Sequence, residues 1–312
     1  MRICSLIPGA TEVVAMLGLT DHLVGISHEC DYPAPVRQVP VMVEPVVEHE
    51  TMGSTDIDRN VKTLVSSNLP LYRLNARAFA DARPDTILTQ DLCHVCAVTP
   101  DQLRHAIQSL PSPPRLMTLN PASLFDVIDD VERIGAFLGE PVRGRDLAQS
   151  LRTRVAAVRG KSTSGIKPRV LCLEWLSPPY VGGHWVPEMV NVAGGEDVLG
   201  KFGQSSRQVT WDQVHAALPD IVVLMPCGFS VPRTVLELSA LSRIDKDWSR
   251  ALISWPKIYA VDANSYFSRP GPRLLDGLEL LTAIFSGNLS PNLDHAVARE
   301  ITASHILASQ SL

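Results

Sequence analysis

Short apolar runs rich in β-branched residues alternate along the chain with longer stretches in which apolar residues recur every three or four positions. The first pattern predicts buried strands and the second amphipathic helices. Strands are expected over residues 2–7, 23–26, 85–89, 116–119, 169–173, 221–225 and 257–261, with helices between them. Such alternation implies α/β layers. Between 121 and 159 no strand signal occurs. Leu124, Val127, Ile128, Val131, Ile134 and Leu138 keep helical spacing, as do Leu147, Leu151, Val155 and Val158, so two helices broken at Gly139-Glu140-Pro141 are predicted. A small polar stretch, Gly160-Lys161-Ser162-Thr163-Ser164-Gly165, follows in the manner of a linker. Ser54 or Thr55 is expected to cap a helix running towards Asn68, and Thr99-Pro100-Asp101-Gln102 reads as another helix start.

A weak internal repeat divides the chain. Glu12-Val-Val-Ala-Met-Leu-Gly18 and Glu188-Met-Val-Asn-Val-Ala-Gly194 share Glu-x-Val-x-x-x-Gly. Further on, Pro84-Asp85-Thr-Ile-Leu88 matches Pro219-Asp220-Ile-Val-Val223 in the same order. Two Rossmann-like α/β lobes joined by helix are therefore expected: an N-terminal lobe over 1–120, a helical connection over 121–160, a C-terminal lobe over 161–287 and a helical extension over 288–312. Ligands of open α/β sheets bind beyond the carboxyl ends of the strands, which puts a cleft between the lobes. A helical spacer is stiff, so the lobes should tilt little.

Length agrees with this division, since 312 residues at about 150 per domain give two units. An apolar share of 45% and a charged share of 20% are ordinary for a globular chain. A net charge of -5 offers no basic footprint for nucleic acid. No apolar run approaches the ~20 residues of a membrane helix, so no membrane insertion is expected. Met1 leads directly into the first strand without a secretory signal, which predicts a cytoplasmic protein, or a periplasmic one whose leader has been removed.

Chemistry is unevenly spread: Cys4, Cys30, Cys93 and Cys96 lie in the first half, and Trp175, Trp185, Trp211, Trp248 and Trp255 all lie in the second. Cys93-His94-Val95-Cys96 is half of a zinc or iron–sulfur site, which Cys30 and either Cys227 or His184 would complete. The bland reading is that these thiols are small buried apolar groups or a disulfide. Cys4 and Cys172 sit inside strand patterns and belong to the core. In Gly182-Gly183-His184-Trp185 the glycines would let a ligand approach the backbone, Trp185 would offer a flat apolar face and His184 would ligate or hydrogen-bond. Alternatively Trp185 packs on its own helix and His184 merely caps. Arg269 and Arg273 flank a predicted helix start, where they would bind a carboxylate or phosphate or, instead, pair with Asp262 or Glu174. Glu12 is accounted for by the helix dipole. No nucleophile elbow, phosphate loop or His-Glu-x-x-His motif occurs, so nothing points to an enzyme.

Six segments in order carry a resemblance: Ser5-Leu-Ile-Pro-Gly-Ala-Thr-Glu12, Ser27-His-Glu-Cys-Asp-Tyr-Pro33, Thr89-Gln-Asp-Leu-Cys-His-Val-Cys-Ala97, Gly183-His-Trp-Val-Pro-Glu188, Pro226-Cys-Gly-Phe229 and Arg269-Pro-Gly-Pro-Arg273. With them the chain resembles the helical-backbone (class III) substrate-binding proteins of ABC transporters, in the cobalamin-binding branch that also holds siderophore and haem receptors. The resemblance implies two lobes about a long helix, an ABC permease as partner, and a cleft holding one bulky small-molecule ligand such as cobalamin. Its expected contacts are Tyr32, Trp175, His184, Trp185, Phe229, Tyr266 and Arg269. The competing expectation is a cytosolic zinc or Fe–S protein on the same fold, using Cys30, Cys93, Cys96 and Cys227 and serving no transporter.

Overall fold

The computed structural model describes residues 1–47, 49–90, 100–161 and 166–302. Cys93 and Cys96 lie outside the described residues.

The first lobe is built on β1 (Ile3–Ser5), β2 (Leu23–Ser27), β3 (Val41–Pro45), β4 (Tyr72–Leu74), β5 (Thr86–Gln90) and β6 (Arg115–Leu119), in the spatial order β4-β3-β2-β1-β5-β6. All neighbours are parallel except β3 and β4. The second sheet contains β7 (Arg169–Trp175), β8 (Tyr180–Val181), β9 (Glu196–Asp197), β10 (Arg207–Gln208), β11 (Ile221–Leu224), β12 (Ile258–Val261) and β13 (Ala298–Glu300). Its order is β10-β8-β7-β11-β12-β13, with β9 beside β7. β7, β11 and β12 run parallel, while β8, β10 and β13 are antiparallel additions. Each strand expected from the sequence is present, with ends moved by one or two residues. Of the strands missed, β4, β8, β9, β10 and β13 have two or three residues, too few for alternation to show, while β3 has five and ends in Glu44-Pro45, which break its apolar run.

The helices are α1 (Pro8–Met16), α2 (Ser54–Ser66), α3 (Ala76–Ala82), α4 (Pro100–Gln108), α5 (Leu124–Phe137), α6 (Pro141–Lys161), α7 (Val186–Val192), α8 (Trp211–Ala216), α9 (Val231–Ile244), α10 (Lys246–Ser254), α11 (Ala263–Tyr266) and α12 (Leu274–Phe285). α5 and α6 form the connection between the lobes, broken where Gly139 takes a left-handed φ of +84° and Pro141 opens the next helix. Ser123 caps α5 by accepting from the Asp126 amide at 3.0 Å.

One apolar cluster runs through both lobes. It takes in Val13 and Val14 of α1, Ile128 and Val131 of α5, Leu151 and Val155 of α6, Met189 of α7 and Leu278 and Leu281 of α12. Each sheet has a separate cluster on its other face. A close-packed interior resists shear, so a core shared in this way ties the two lobes together.

Two expectations are corrected. α2 is capped by Gly53 without a side-chain bond of its own, and the Ser54 hydroxyl points elsewhere. In the described part of the C-terminal segment, residues 288–302, β13 lies along β12 in place of the expected helix, with the Ile301 amide donating to the Ile258 carbonyl at 2.8 Å; residues 303–312 of the expected extension lie outside the described residues. The open edge of β12 supplies a ladder that local sequence cannot reveal.

Candidate functional site

The carboxyl ends of β1, β2, β3 and β5 in one lobe, and of β7, β11 and β12 in the other, carry the loops that bound the cleft between the sheets. Two sets of contacts cross it.

The first set is ionic. Arg269 is 6% exposed and donates to Asp31, to Glu29 Oε2 at 3.3 Å and to Asn264 Oδ1 at 2.8 Å. Arg273 donates to Glu12 Oε1 through Nη2 at 2.7 Å and Nε at 2.9 Å. Glu12, at 2% exposure, is thus a buried partner of the other lobe and not merely a dipole residue. Burial raises the Glu12 pKa, while the Arg273 hydrogen bonds and charge oppose the rise. The hydrogen bond with His28 holds Glu29 low. Arg273 also lies over the Tyr32 ring, 4.3 Å from its centroid. Tyr266 stands near, its hydroxyl pKa raised by burial. The sequence left both arginines open to an external anion; the fold gives them carboxylates from the first lobe instead. The adjoining backbones touch: a Cβ on Gly9 would sit 1.9 Å from the Pro270 carbonyl oxygen, so only glycine fits there.

A second group gathers on the C-terminal lobe. Trp175 and Phe229 meet edge to face at 5.5 Å, and Arg233 lies over the Phe229 ring at 3.8 Å. Behind Trp175, Glu174 accepts from the Gly183 amide at 3.3 Å and from Ser206. Desolvation pushes its pKa up to about 7, against those two hydrogen bonds. The Cys227 amide donates to the Glu174 carbonyl at 2.9 Å. The Cys227 thiol has access to solvent but is surrounded by protein, and desolvation pushes it up to about 11. His184 is held in a left-handed conformation, φ +52°, by its amide donating to the Gln204 carbonyl at 2.6 Å. Partial burial lowers its pKa.

Other candidates lie elsewhere. Trp185 is 7% exposed in the shared core, its indole N–H donating to the Phe267 carbonyl at 2.8 Å. The Gly183 backbone approaches Gln204 to Ser206, where a Cβ would fall 2.2 Å from the Ser206 nitrogen, and it is this chain segment, not a ligand, that requires glycine. Cys30 is 4% exposed, with Sγ 3.0 Å from Thr11 Oγ1, and desolvation pushes it up to about 12. It is therefore a core thiol and not a rim group. Cys4 and Cys172 are fully buried as expected. No group of His, Cys, Asp and Glu among the described residues is arranged to hold a metal ion.

A third set of residues was not singled out as site residues in the sequence, where Ser54 and Thr55 figured only as helix caps: His49, Met52, Ser54 and Thr55 of the first lobe reach Arg233, Glu237 and Ser177 of the second. No local signal marks them, because each is an ordinary surface type until the lobes face one another. By contrast, the acids of His28-Glu29-Cys30-Asp31 and the pair Arg269 and Arg273 are complementary runs that charge counting could have matched.

Residues 3–245 match the family described as "Periplasmic binding protein". The vitamin B12-binding protein of Vibrio cholerae is 23% identical over 283 residues, covering 89% of this chain and 86% of that protein. Among solved structures, the periplasmic haem-binding protein RhuT from Roseiflexus sp. RS-1 in apo form is similar at a TM-score of 0.68 and 23% identity, over 92% of this chain and 98% of that one. A periplasmic haem-binding protein from Pseudomonas aeruginosa gives 0.69 and 20% identity, over 97% and 98%. The family match overturns the cytoplasmic expectation, since the family and its relatives are periplasmic, and with it the cytosolic setting of the zinc or Fe–S reading. The family is non-catalytic, its partner is an ABC permease, and no helix among the described residues is long and apolar enough to cross a membrane. With its two sheets, shared helical core and interlobe cleft, the chain belongs to the periplasmic binding proteins, as a class III substrate-binding protein of an ABC transporter related to the cobalamin- and haem-binding members.

Proposed function

We propose that the bulky ligand of the interlobe cleft is a corrinoid, held against Trp175, which the buried Phe229 ring backs, on one side and Tyr32 and Tyr266 on the other, with His184 and Cys227 facing it. The observation that carries this reading is the neutralisation of Arg269 and Arg273. Arg269 is committed to Asp31 and Glu29, and Arg273 to Glu12, so neither is a free cation for an anionic ligand. Haem presents two carboxylates, which want such cations; a corrin ring presents neutral amides, which suit aromatic faces and a polar rim. The vitamin B12-binding relatives, which align over most of the chain, support the same choice.

The test is titration of the purified protein with cyanocobalamin, cobinamide and haemin, followed by absorbance and calorimetry. Saturable binding of a corrinoid at micromolar concentration or below is expected, with haemin weaker. Absence of any spectral change or heat with both corrinoids, or tighter binding of haemin, overturns the assignment.

A further inference from the structure

The connection between β3 and β4 does not stay with its own sheet. α2 has thirteen residues, of which only Ser54 is buried, so the helix is poorly anchored to the first lobe along its length. Its N-terminus is instead fastened to the second. Glu237 of α9 accepts from the Ser54 amide at 2.8 Å and from the Ser54 hydroxyl at 2.5 Å. The Trp175 indole donates to the Ser54 carbonyl at 3.2 Å, and the Thr55 hydroxyl donates to Ser177 Oγ at 2.8 Å. Just before the helix, Arg233 donates to the His49 carbonyl at 2.5 Å. Lys62, paired with Asp58, reaches Tyr180 one turn further on.

A helix start leaves backbone N–H groups without partners, and the usual remedy is a side chain at the N-cap. Here the N-cap is Gly53, which has none, and the carboxylate arrives from the other lobe. The charge is of the sign that a helix N-terminus favours. Separating the lobes on this side would therefore strip the first turn of α2 of its partner and leave Glu237 unpaired. The fastening is also next to the candidate ligand contacts: Trp175 is part of it, and Arg233 lies on Phe229.

We infer that α2, with residues 49–53 before it, is a lid over the ligand cleft, latched to the second lobe by Glu237 and Arg233, and that ligand passage requires its first turn to unlatch and loosen. On the opposite flank the Gly9 contact and the buried ion pairs hold the lobes together, so the shared core need not deform for the cleft to open. The inference rests on the cleft being the binding site, but the latch itself is testable without any ligand.

Hydrogen–deuterium exchange of the full chain reads the latch directly. In Glu237→Ala, the amides of residues 54–58 are expected to exchange at least tenfold faster than in the parent, with β1 unchanged; equal exchange overturns the latch. If that variant exchanges faster everywhere, Glu237→Gln, which retains an acceptor, should restore the β1 protection and part of that at 54–58. Failure to do so means Glu237 acts on global stability, and overturns the latch. Gating is read with Thr55→Cys combined with Ser177→Cys, the cross-link being verified by peptide mass mapping. Oxidation is expected to slow cyanocobalamin association at least tenfold, with recovery on reduction. Equal rates in the two states overturn the lid. A reduced variant and parent that both fail to bind cyanocobalamin count against the corrinoid assignment, and exchange at 54–58 then decides the latch alone.

Discussion

Arg2 and Arg169 do the same work in the two lobes. Each opens the first strand of its sheet, gives its amide to an aspartate, Asp85 or Asp220, and receives that aspartate's own amide on its carbonyl. Each guanidinium turns back to a carbonyl at a helix end, that of Ala82, the last residue of α3, in one lobe and that of Ala217, the residue capping α8, in the other. The residues after those helices, Arg83 and Leu218, both take a left-handed φ of 43°. At the cleft the likeness ends. The first lobe brings carboxylates from Glu12, Glu29 and Asp31, and the second brings Arg269 and Arg273. On the other flank the second lobe brings both a carboxylate, Glu237, and a guanidinium, Arg233, and the first lobe answers with backbone and hydroxyl groups. The repeated positions build each sheet, while the unlike ones join the sheets, because two identical charged edges would repel.

This comparison can be broken most forcefully at Arg273. Arg273→Ala leaves Glu12 buried without its partner, and a loss of about 3–5 kcal/mol is expected in urea unfolding. Adding Glu12→Gln should return part of it; no recovery would mean the pair does not act as a unit.

The second lobe's buried carboxylate gives a pH signature. Burial raises Glu174 from 4.5 to about 7, so between those values the folded state binds more protons than the unfolded one. Its stabilising contribution is complete below about 4.5 and is lost as pH rises through about 7. Relative to Glu174→Gln, the parent should lose about 2–3 kcal/mol across that window. A flat difference curve from thermal melts would show that the carboxyl is not desolvated.

Gly9→Ala places a methyl against the Pro270 carbonyl, and overpacking of about 1–3 kcal/mol should appear with a larger radius of gyration in solution scattering. An unchanged radius with full stability would show that this is not a close interlobe contact. Smallest are the repeated aspartates: Asp85→Asn and Asp220→Asn should each cost about 0.5–1.5 kcal/mol and differ little from one another. Unequal losses in chemical denaturation would weaken the equivalence of the lobes.

The strands at the centre of both sheets and the helix pair α5 and α6 were legible because their burial is written as continuous apolar runs or helical spacing. The repeat was legible for a related reason: Asp85 and Asp220 keep fixed offsets from the strands they serve. Short strands such as β8, β10 and β13 were not, since two or three residues carry no period. Of the candidate contacts, Trp175 and Phe229 come together, as do Tyr32 and Tyr266, while Trp185 turns into the shared core. Its indole at the head of α7 looked the same in sequence whichever way it faced. Cys30 shows the same ambiguity, since a thiol beside charged residues can be a ligand or a buried hydrogen-bond partner of Thr11.

By itself the sequence determined the two α/β lobes, the helices between them and the supply of acids, bases and aromatic rings at the strand ends. Those are consequences of local periodicity and composition. Only the tertiary structure decided which charges meet. Arg269 and Arg273 found Asp31, Glu29 and Glu12 across more than two hundred positions of chain, and Ser54 found Glu237 across 183. Contacts between groups so far apart depend on how two sheets are set about a common core, and no local pattern encodes that setting.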